Sequence, residues 1–255
     1  AVKPGDRVVV YWGKHSKYNT VNERNVVKIN SDLISFEEAA VSFITTFSLA
    51  AIRKTRLEIG ESAIVMGLGL LGQLAVCLLR AAGAVPIIAA DPLESRREEA
   101  LFNGADYALN PFVDNFSDKV KEYSGGGTNI GIEVTGVGAG LDEILDCMAR
   151  FGRISLLGCT RNKNFTIDYY KKIHVPGITI IGAHTNARPD FESHSGWFTH
   201  NDDIKTVLDL CAAKRINLKK MITETFAPEE CPKVYGRLVK DKDFPILVQF
   251  DWREN

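Results

Sequence analysis

The sequence has little that would tie it to a membrane, a secretory route or a polyanion. No apolar stretch reaches the roughly 20 residues needed to cross a bilayer, and the amino terminus opens into Pro4-Gly5-Asp6-Arg7 instead of an apolar leader, so neither a membrane partner nor a secretory signal is expected. Neither sign of charge is in excess. The 31 basic and 32 acidic side chains nearly cancel, and no basic run is dense enough for a nucleic-acid partner. Cysteine is sparse: Cys77, Cys147, Cys159, Cys211 and Cys231 are odd in number, widely spaced and mostly set in apolar patterns. That argues against a disulfide framework and for reduced thiols, as in a cytoplasmic protein. Internal repeats and low-complexity tracts are also missing. At 255 residues the chain is nevertheless long enough to bury a large core.

What is present is organised around Ser62-Ala-Ile-Val-Met-Gly67-Leu-Gly69-Leu-Leu-Gly72-Gln-Leu-Ala-Val-Cys77. An apolar run meets three glycines spaced G-x-G-x-x-G and then a second apolar run with helical spacing, which predicts strand, tight turn and helix. The first glycine permits the turn, the second lets a pyrophosphate approach bare backbone, and the third lets helix pack close to strand. Gly69 is then the contact glycine, with the amides of Leu70 and Leu71 aimed at the anion at the positive end of the helix dipole. A second apolar strand, Gly83 to Ala90, ends at Asp91, roughly 20 residues on, where the adenosine ribose should lie. A carboxylate there accepts hydrogen bonds from ribose hydroxyls and repels a 2′-phosphate, so NAD is expected over NADP. Arg96 and Arg97 either meet a phosphate or are solvated charges on a helix.

Taken in order, Arg7–Tyr11 and Asn25–Ile29 read as strands of a small β-rich unit. Ser35-Phe-Glu-Glu38 matches a capping box, with a helix continuing to Lys54. From Ser62, strand-like and helix-like runs alternate, as a parallel sheet covered on both faces requires. Helices are expected at Glu94–Phe102, Asp114–Tyr123 and Leu141–Met148, and strands at Tyr107–Leu109, Ile130–Val134, Arg153–Leu157 and Gly177–Gly182. Together they give a Rossmann doubly wound six-stranded parallel sheet, order 3-2-1-4-5-6, in an α/β fold. The last strand lies at an edge, and its apolar run Ile178–Ile181 suggests a homodimer through residues 177–182. Beyond it, Arg188–Asn201 reads as loop, Asp202–Ala213 as helix, Met221–Phe226 as strand, Pro228–Val239 as helix and Phe244–Phe250 as strand.

By this point several stretches resemble one family. Lys3-Pro-Gly-Asp-Arg-Val8 is similar to its G-D-R-V turn, His15-Ser-Lys-Tyr18 to its H-A-E-Y segment and Phe36-Glu-Glu-Ala-Ala40 to its E-E-A-A helix start. Gly67–Gly72, Glu133-Val-Thr-Gly136, Phe151-Gly-Arg153 and the closing Ile222 to Phe250 follow the same pattern. In that order they resemble the medium-chain dehydrogenase/reductase superfamily, the zinc-type alcohol, sorbitol and threonine dehydrogenase-like proteins. The resemblance implies a Rossmann NAD-binding domain at 46–182, remnants of a GroES-like β-rich catalytic domain at 1–45, and a segment at 183–255 that returns to that domain. It places Gly67, Gly69, Leu70, Leu71 and Gly72 at the pyrophosphate, Asp91 at the ribose and Arg96 near the adenosine. Thr46, Val134, Thr135, Leu157 and Gly158 would line the nicotinamide half, although the Thr135 hydroxyl equally suits a local turn.

The departures from the pattern carry expectations too. The amino-terminal part of the catalytic domain, with its zinc Cys, its G-H-E motif and any four-Cys lobe, does not occur in the sequence. The position of a further zinc ligand falls at Ser42, whose un-ionised hydroxyl is a poor one. Zinc is therefore not supported by this chain. His15, His174, His184, His194 and His200 read as structural or surface residues unless the fold gathers the last three. The function implied is NAD(H)-dependent hydride transfer between nicotinamide and a small alcohol or carbonyl substrate; the alternative is a dinucleotide-binding module without catalysis. The catalytic groups are unknown from the sequence, with Ser42 and Thr46 as conceivable donors to a substrate oxygen. Asn186, Arg188 and Asp190 hint at a polar substrate.

Overall fold

The Pro4-Gly5 turn delivers the chain into β1 (Val8–Val10), which pairs antiparallel with β2 (Val26–Lys28), Val9 opposite Val27. Ser35 then caps α1 (Phe36–Thr55): the Glu38 amide donates to its hydroxyl at 3.2 Å. Six parallel strands and their crossovers follow: β3 (Ala63–Met66), α2 (Leu70–Ala82), β4 (Ile87–Ala90), α3 (Glu94–Phe102), β5 (Tyr107–Leu109), α4 (Phe116–Ser124), β6 (Thr128–Glu133), α5 (Gly138–Asp146), β7 (Met148–Leu156) and β8 (Thr179–Gly182). The chain closes with α6 (His200–Ala212), β9 (Glu224–Phe226), α7 (Cys231–Lys240) and β10 (Val248–Phe250), β9 and β10 being a parallel pair. This computed structural model describes residues 2–159, 162–241 and 244–253.

The large sheet has the order β5-β4-β3-β6-β7-β8, all neighbours parallel, which is the doubly wound 3-2-1-4-5-6 arrangement expected from the alternating runs. Every residue of β3 and β4 is buried, as strands covered on both faces must be. Ile64, Met66, Ile88, Phe116, Ile144 and Ile154 pack into one core cluster between sheet and helices. Contacts divide the chain into two units, one holding residues up to Phe43 and from Ile204 onward, the other Ile44–Asp203.

Most element ends shift by a few residues from the sequence reading, and three of the shifts have a cause in particular contacts. Met148, expected at the end of a helix, instead opens β7, because Thr128 of β6 takes it as a cross-strand partner and α5 has already stopped at Asp146. The helix expected from Asp202 starts at His200, since the Thr199 hydroxyl accepts the Asp202 amide at 3.2 Å and caps the turn earlier. The strand expected from Met221 begins only at Glu224, because Met221 ends a 3-10 turn, Leu218–Met221, in which the Lys220 amide donates to the Asn217 side chain. A short π-helix at Tyr170–His174 was not legible in the periodicity.

Candidate functional site

Both ends of the β3–α2 turn are held by backbone. The Gly67 amide donates to Ala90 O at 2.8 Å, and a Cβ on Gly72 would lie 2.0 Å from Gly67 O, so the third glycine is demanded by the closeness of the helix to the turn. Gly67 has φ +96° and lies against Thr135, 3.1 Å from that amide to the site of a Cβ. Gly69 differs. Its φ of −68° suits any residue and a Cβ there would meet nothing within 4 Å, so its side faces open space. Gly69 is also the N-cap of α2 and supplies no side-chain cap, which leaves the amides of the first turn, Leu70 and Leu71 included, to an outside acceptor. Ser48 steadies this start by donating to Leu71 O at 2.7 Å.

Asp91, only 4% exposed, underlies the turn: one carboxylate oxygen accepts the Leu68 amide and the other the Leu93 amide, each at 2.9 Å. A carboxylate offers about four acceptor positions, so both oxygens keep capacity for hydroxyl donors. Arg96 lies 3.6 Å from the same carboxylate, whereas Arg97 donates to the carbonyls of Asp91 and Pro92 and so braces the strand end. Gln73 ties the turn to α3 by donating to Leu68 O and Arg96 O.

At the ends of β6 and β7, Val134, Thr135, Leu157 and Gly158 come together beside Gly67. Val134 donates to Met66 O at 2.9 Å, and the amides of Leu157 and Gly158 both donate to Glu133 O. The Thr135 hydroxyl serves its own turn, donating to the Glu133 carboxylate and accepting the Val137 amide at 3.2 Å. The residues named at the pyrophosphate, the ribose and this end therefore form one run along the carboxyl ends of four adjacent strands, where ligands of open α/β sheets bind.

Thr46 has other neighbours. It is buried, its hydroxyl 3.4 Å from His200 Nδ1, and its carbonyl accepts Arg188 at 3.2 Å. Arg188 is not free for a substrate as the polar loop suggested: its side chain is 4% exposed and bonds Asp203 at 3.0 Å. Asp203, with no side-chain exposure, also takes Arg53 at 2.7 Å, and Arg53 lies over the Phe198 ring. Lys54 joins this cluster, donating to Gly182 O at 3.3 Å with its ammonium 4.5 Å from the Trp197 ring centre; burial and then the nearby Arg188 pull its pKa down to about 8. Sequence spacing gave no signal for this group, because its members come from α1, the loop after β8 and the start of α6.

The histidines stay apart in role. His184 Nδ1 accepts the Asn186 amide and His194 pairs with Trp197 through backbone. Among the described residues no group of three or more His, Cys, Asp or Glu is placed to hold a metal ion. The buried Ser42 hydroxyl donates to Ala39 O at 2.6 Å. Burial, with Arg188 adding repulsion, brings the His200 pKa down to about 4. The sign follows: an unfolded histidine takes up its proton near pH 6.5 and the folded one does not, so the stability from neutral His200 is full above that pH and is lost as pH falls towards 4. Asp203, raised to about 6 by burial, acts with the opposite sign over pH 6 to 4. The histidine part is therefore read as a difference: the gap in unfolding free energy between wild type and His200→Asn should shrink as pH falls from 6.5 to 4, and a gap independent of pH contradicts the buried neutral imidazole.

Comparison with known proteins bears on this arrangement. Residues 71–221 match the family model described as zinc-binding dehydrogenase. The L-threonine 3-dehydrogenase of Pyrococcus horikoshii is 33% identical over 168 residues, 66% of this chain and 44% of that protein. A crystal structure of 2R,3R-butanediol dehydrogenase from Bacillus subtilis superposes with a TM-score of 0.74 at 26% identity, covering 87% of this chain and 59% of that one. An alcohol dehydrogenase zinc-binding domain protein from Burkholderia ambifaria gives 0.74 at 25% identity over 87% of this chain and 57% of that one. The chain spans about half the length of the curated relatives it matches. Since the family model covers more than half of the residues, the chain belongs to the zinc-binding dehydrogenase family, within the medium-chain dehydrogenase/reductase superfamily.

Proposed function

We propose that the chain is an NAD(H)-dependent oxidoreductase of the medium-chain alcohol dehydrogenase type, transferring hydride between nicotinamide and a small alcohol or carbonyl substrate. The observation that carries this is the β3–α2 turn: a glycine with open space over it at an uncapped helix start, above a buried carboxylate. Gly67, Gly69, Leu70, Leu71 and Gly72 would receive the pyrophosphate. Asp91 would take the ribose hydroxyls and turn away a 2′-phosphate, with Arg96 beside the adenosine. Val134, Thr135, Leu157 and Gly158 would face the nicotinamide, with Thr46 set further off beside His200. When bound, the cofactor supplies the hydride exchange itself. The residues of this chain orient it and shield one side of it from water.

The family name implies zinc, and the residue at the position of its further ligand does not fit it: Ser42 is an un-ionised hydroxyl that donates to Ala39 O. Residues 46–182 form the proposed NAD-binding domain, with 1–45 and 183–255 as parts of a GroES-like catalytic domain. The five cysteines form no disulfide, which accords with a reducing, cytoplasmic setting.

The test is NADH binding followed by hydride transfer over a panel of alcohols and aldehydes. Binding with turnover supports the oxidoreductase; binding without turnover supports the alternative, a dinucleotide-binding module. No NADH binding overturns both. A homodimer through residues 177–182 is part of the proposal, since β8 is the outer strand of the sheet and Ile180 on it is exposed. Light scattering at micromolar concentration should give twice the chain mass, and a monomer mass contradicts it.

A further inference from the structure

Glu133 ends β6 and is 3% exposed, yet among the described residues no lysine, arginine or histidine pairs with its carboxylate. Burial accordingly pushes its pKa up against the hydrogen bonds that hold it down. A buried carboxyl group without a cation is costly and persists only where its hydrogen bonds are needed. Those bonds all go to one turn. Oε1 accepts the Thr135 amide at 2.7 Å, the Thr135 hydroxyl and the Gly136 amide at 3.1 Å, and Oε2 lies 3.3 Å from the same Gly136 amide. The main-chain oxygen of Glu133 accepts Leu157 at 2.9 Å and Gly158 at 2.8 Å. The packing leaves no slack, because a Cβ on Gly158 would lie 2.3 Å from the Gly136 amide and one on Gly67 3.1 Å from the Thr135 amide.

From this geometry we infer that Glu133 is a positioning residue: its side chain and its carbonyl together fix the two strand ends that would face the nicotinamide. The inference rests on the dinucleotide reading above and adds to it a residue that touches no cofactor itself. It acts through Thr135, Gly136, Leu157 and Gly158. The adenosine side of the site, at Asp91, is held by separate bonds to Leu68 and Leu93, so loosening the Glu133 turn should leave it intact.

The experiment titrates the full chain with NADH and with ADP-ribose, which lacks only the nicotinamide, for wild type, Glu133→Gln, Glu133→Asp and Glu133→Ala. Wild type should bind NADH more tightly than ADP-ribose. Glu133→Ala should erase about tenfold of that margin, the scale of one lost charge-assisted hydrogen bond, with ADP-ribose affinity unchanged. Glu133→Gln, which keeps the Oε1 acceptor, should retain the margin. Glu133→Asp withdraws the acceptor by one methylene and should lose about threefold; it decides the matter where the alanine variant does not fold. Equal loss for both ligands, no loss in either shortened variant, or a glutamine variant as weak as alanine overturns the inference. If wild type binds neither ligand, the dinucleotide reading fails and the inference with it; if it binds ADP-ribose alone, only the nicotinamide side fails.

Discussion

Asp203→Ala is expected to lower the unfolding free energy by about 3–5 kcal/mol, the range for removing one partner from a buried ion pair. The reason is an asymmetry of charge. Two guanidiniums, from Arg53 and Arg188, converge on this one carboxylate, and the Lys54 ammonium feels it as well. Burial outweighs their attraction enough to raise the Asp203 pKa to about 6, so the cluster is not a strong stabiliser compared with apolar packing. Taking away the carboxylate alone, however, strands the cations in a site with little water. The triple variant Arg53→Met, Arg188→Met and Asp203→Leu, which removes both guanidiniums with the carboxylate, should therefore lose clearly less than Asp203→Ala. Denaturant midpoints at constant slope would show this. A loss under about 1 kcal/mol in the single variant would mean that the cluster is solvated.

The second large effect is expected at Gly72. An alanine methyl there would lie 2.0 Å from Gly67 O, which is backbone and has no rotamer by which to retreat. Either α2 moves away from β3 or the turn opens, and overpacking of this kind costs about 1–3 kcal/mol, here at the upper end because backbone must shift. A melting temperature within a degree or two of wild type would contradict the tight strand–helix contact.

The β3–α2 turn and the strand order were legible because their signals are local and dense. Glycines at fixed offsets and uninterrupted apolar runs such as Ala63–Met66 and Ile87–Ala90 have few other uses. What escaped was set by distant partners. Met148 reads as a continuation of the helix until Thr128 pairs with it. Asp203 and Arg53 are separated by 150 residues, and neither spacing nor composition announces their meeting. Arg188 looked like a substrate-facing loop residue because polarity is the ordinary state of loops; its burial depends on Thr46 and Asp203. Glu133 was visible only as a letter in a motif, since its task is defined by amides two and three residues on, which a reading by side-chain type does not count.

The central claim is that a dinucleotide pyrophosphate sits over Gly69, and NADH titration of wild type against Gly69→Ala tests it most directly. Because a Cβ at Gly69 meets nothing within 4 Å and its φ is ordinary, this variant should melt with wild type, unlike Gly72→Ala. The account predicts unchanged stability together with a loss of NADH affinity of about tenfold or more, as the methyl occupies the place of the phosphate. Equal NADH affinity in the two proteins would contradict both the oxidoreductase and the binding-module readings.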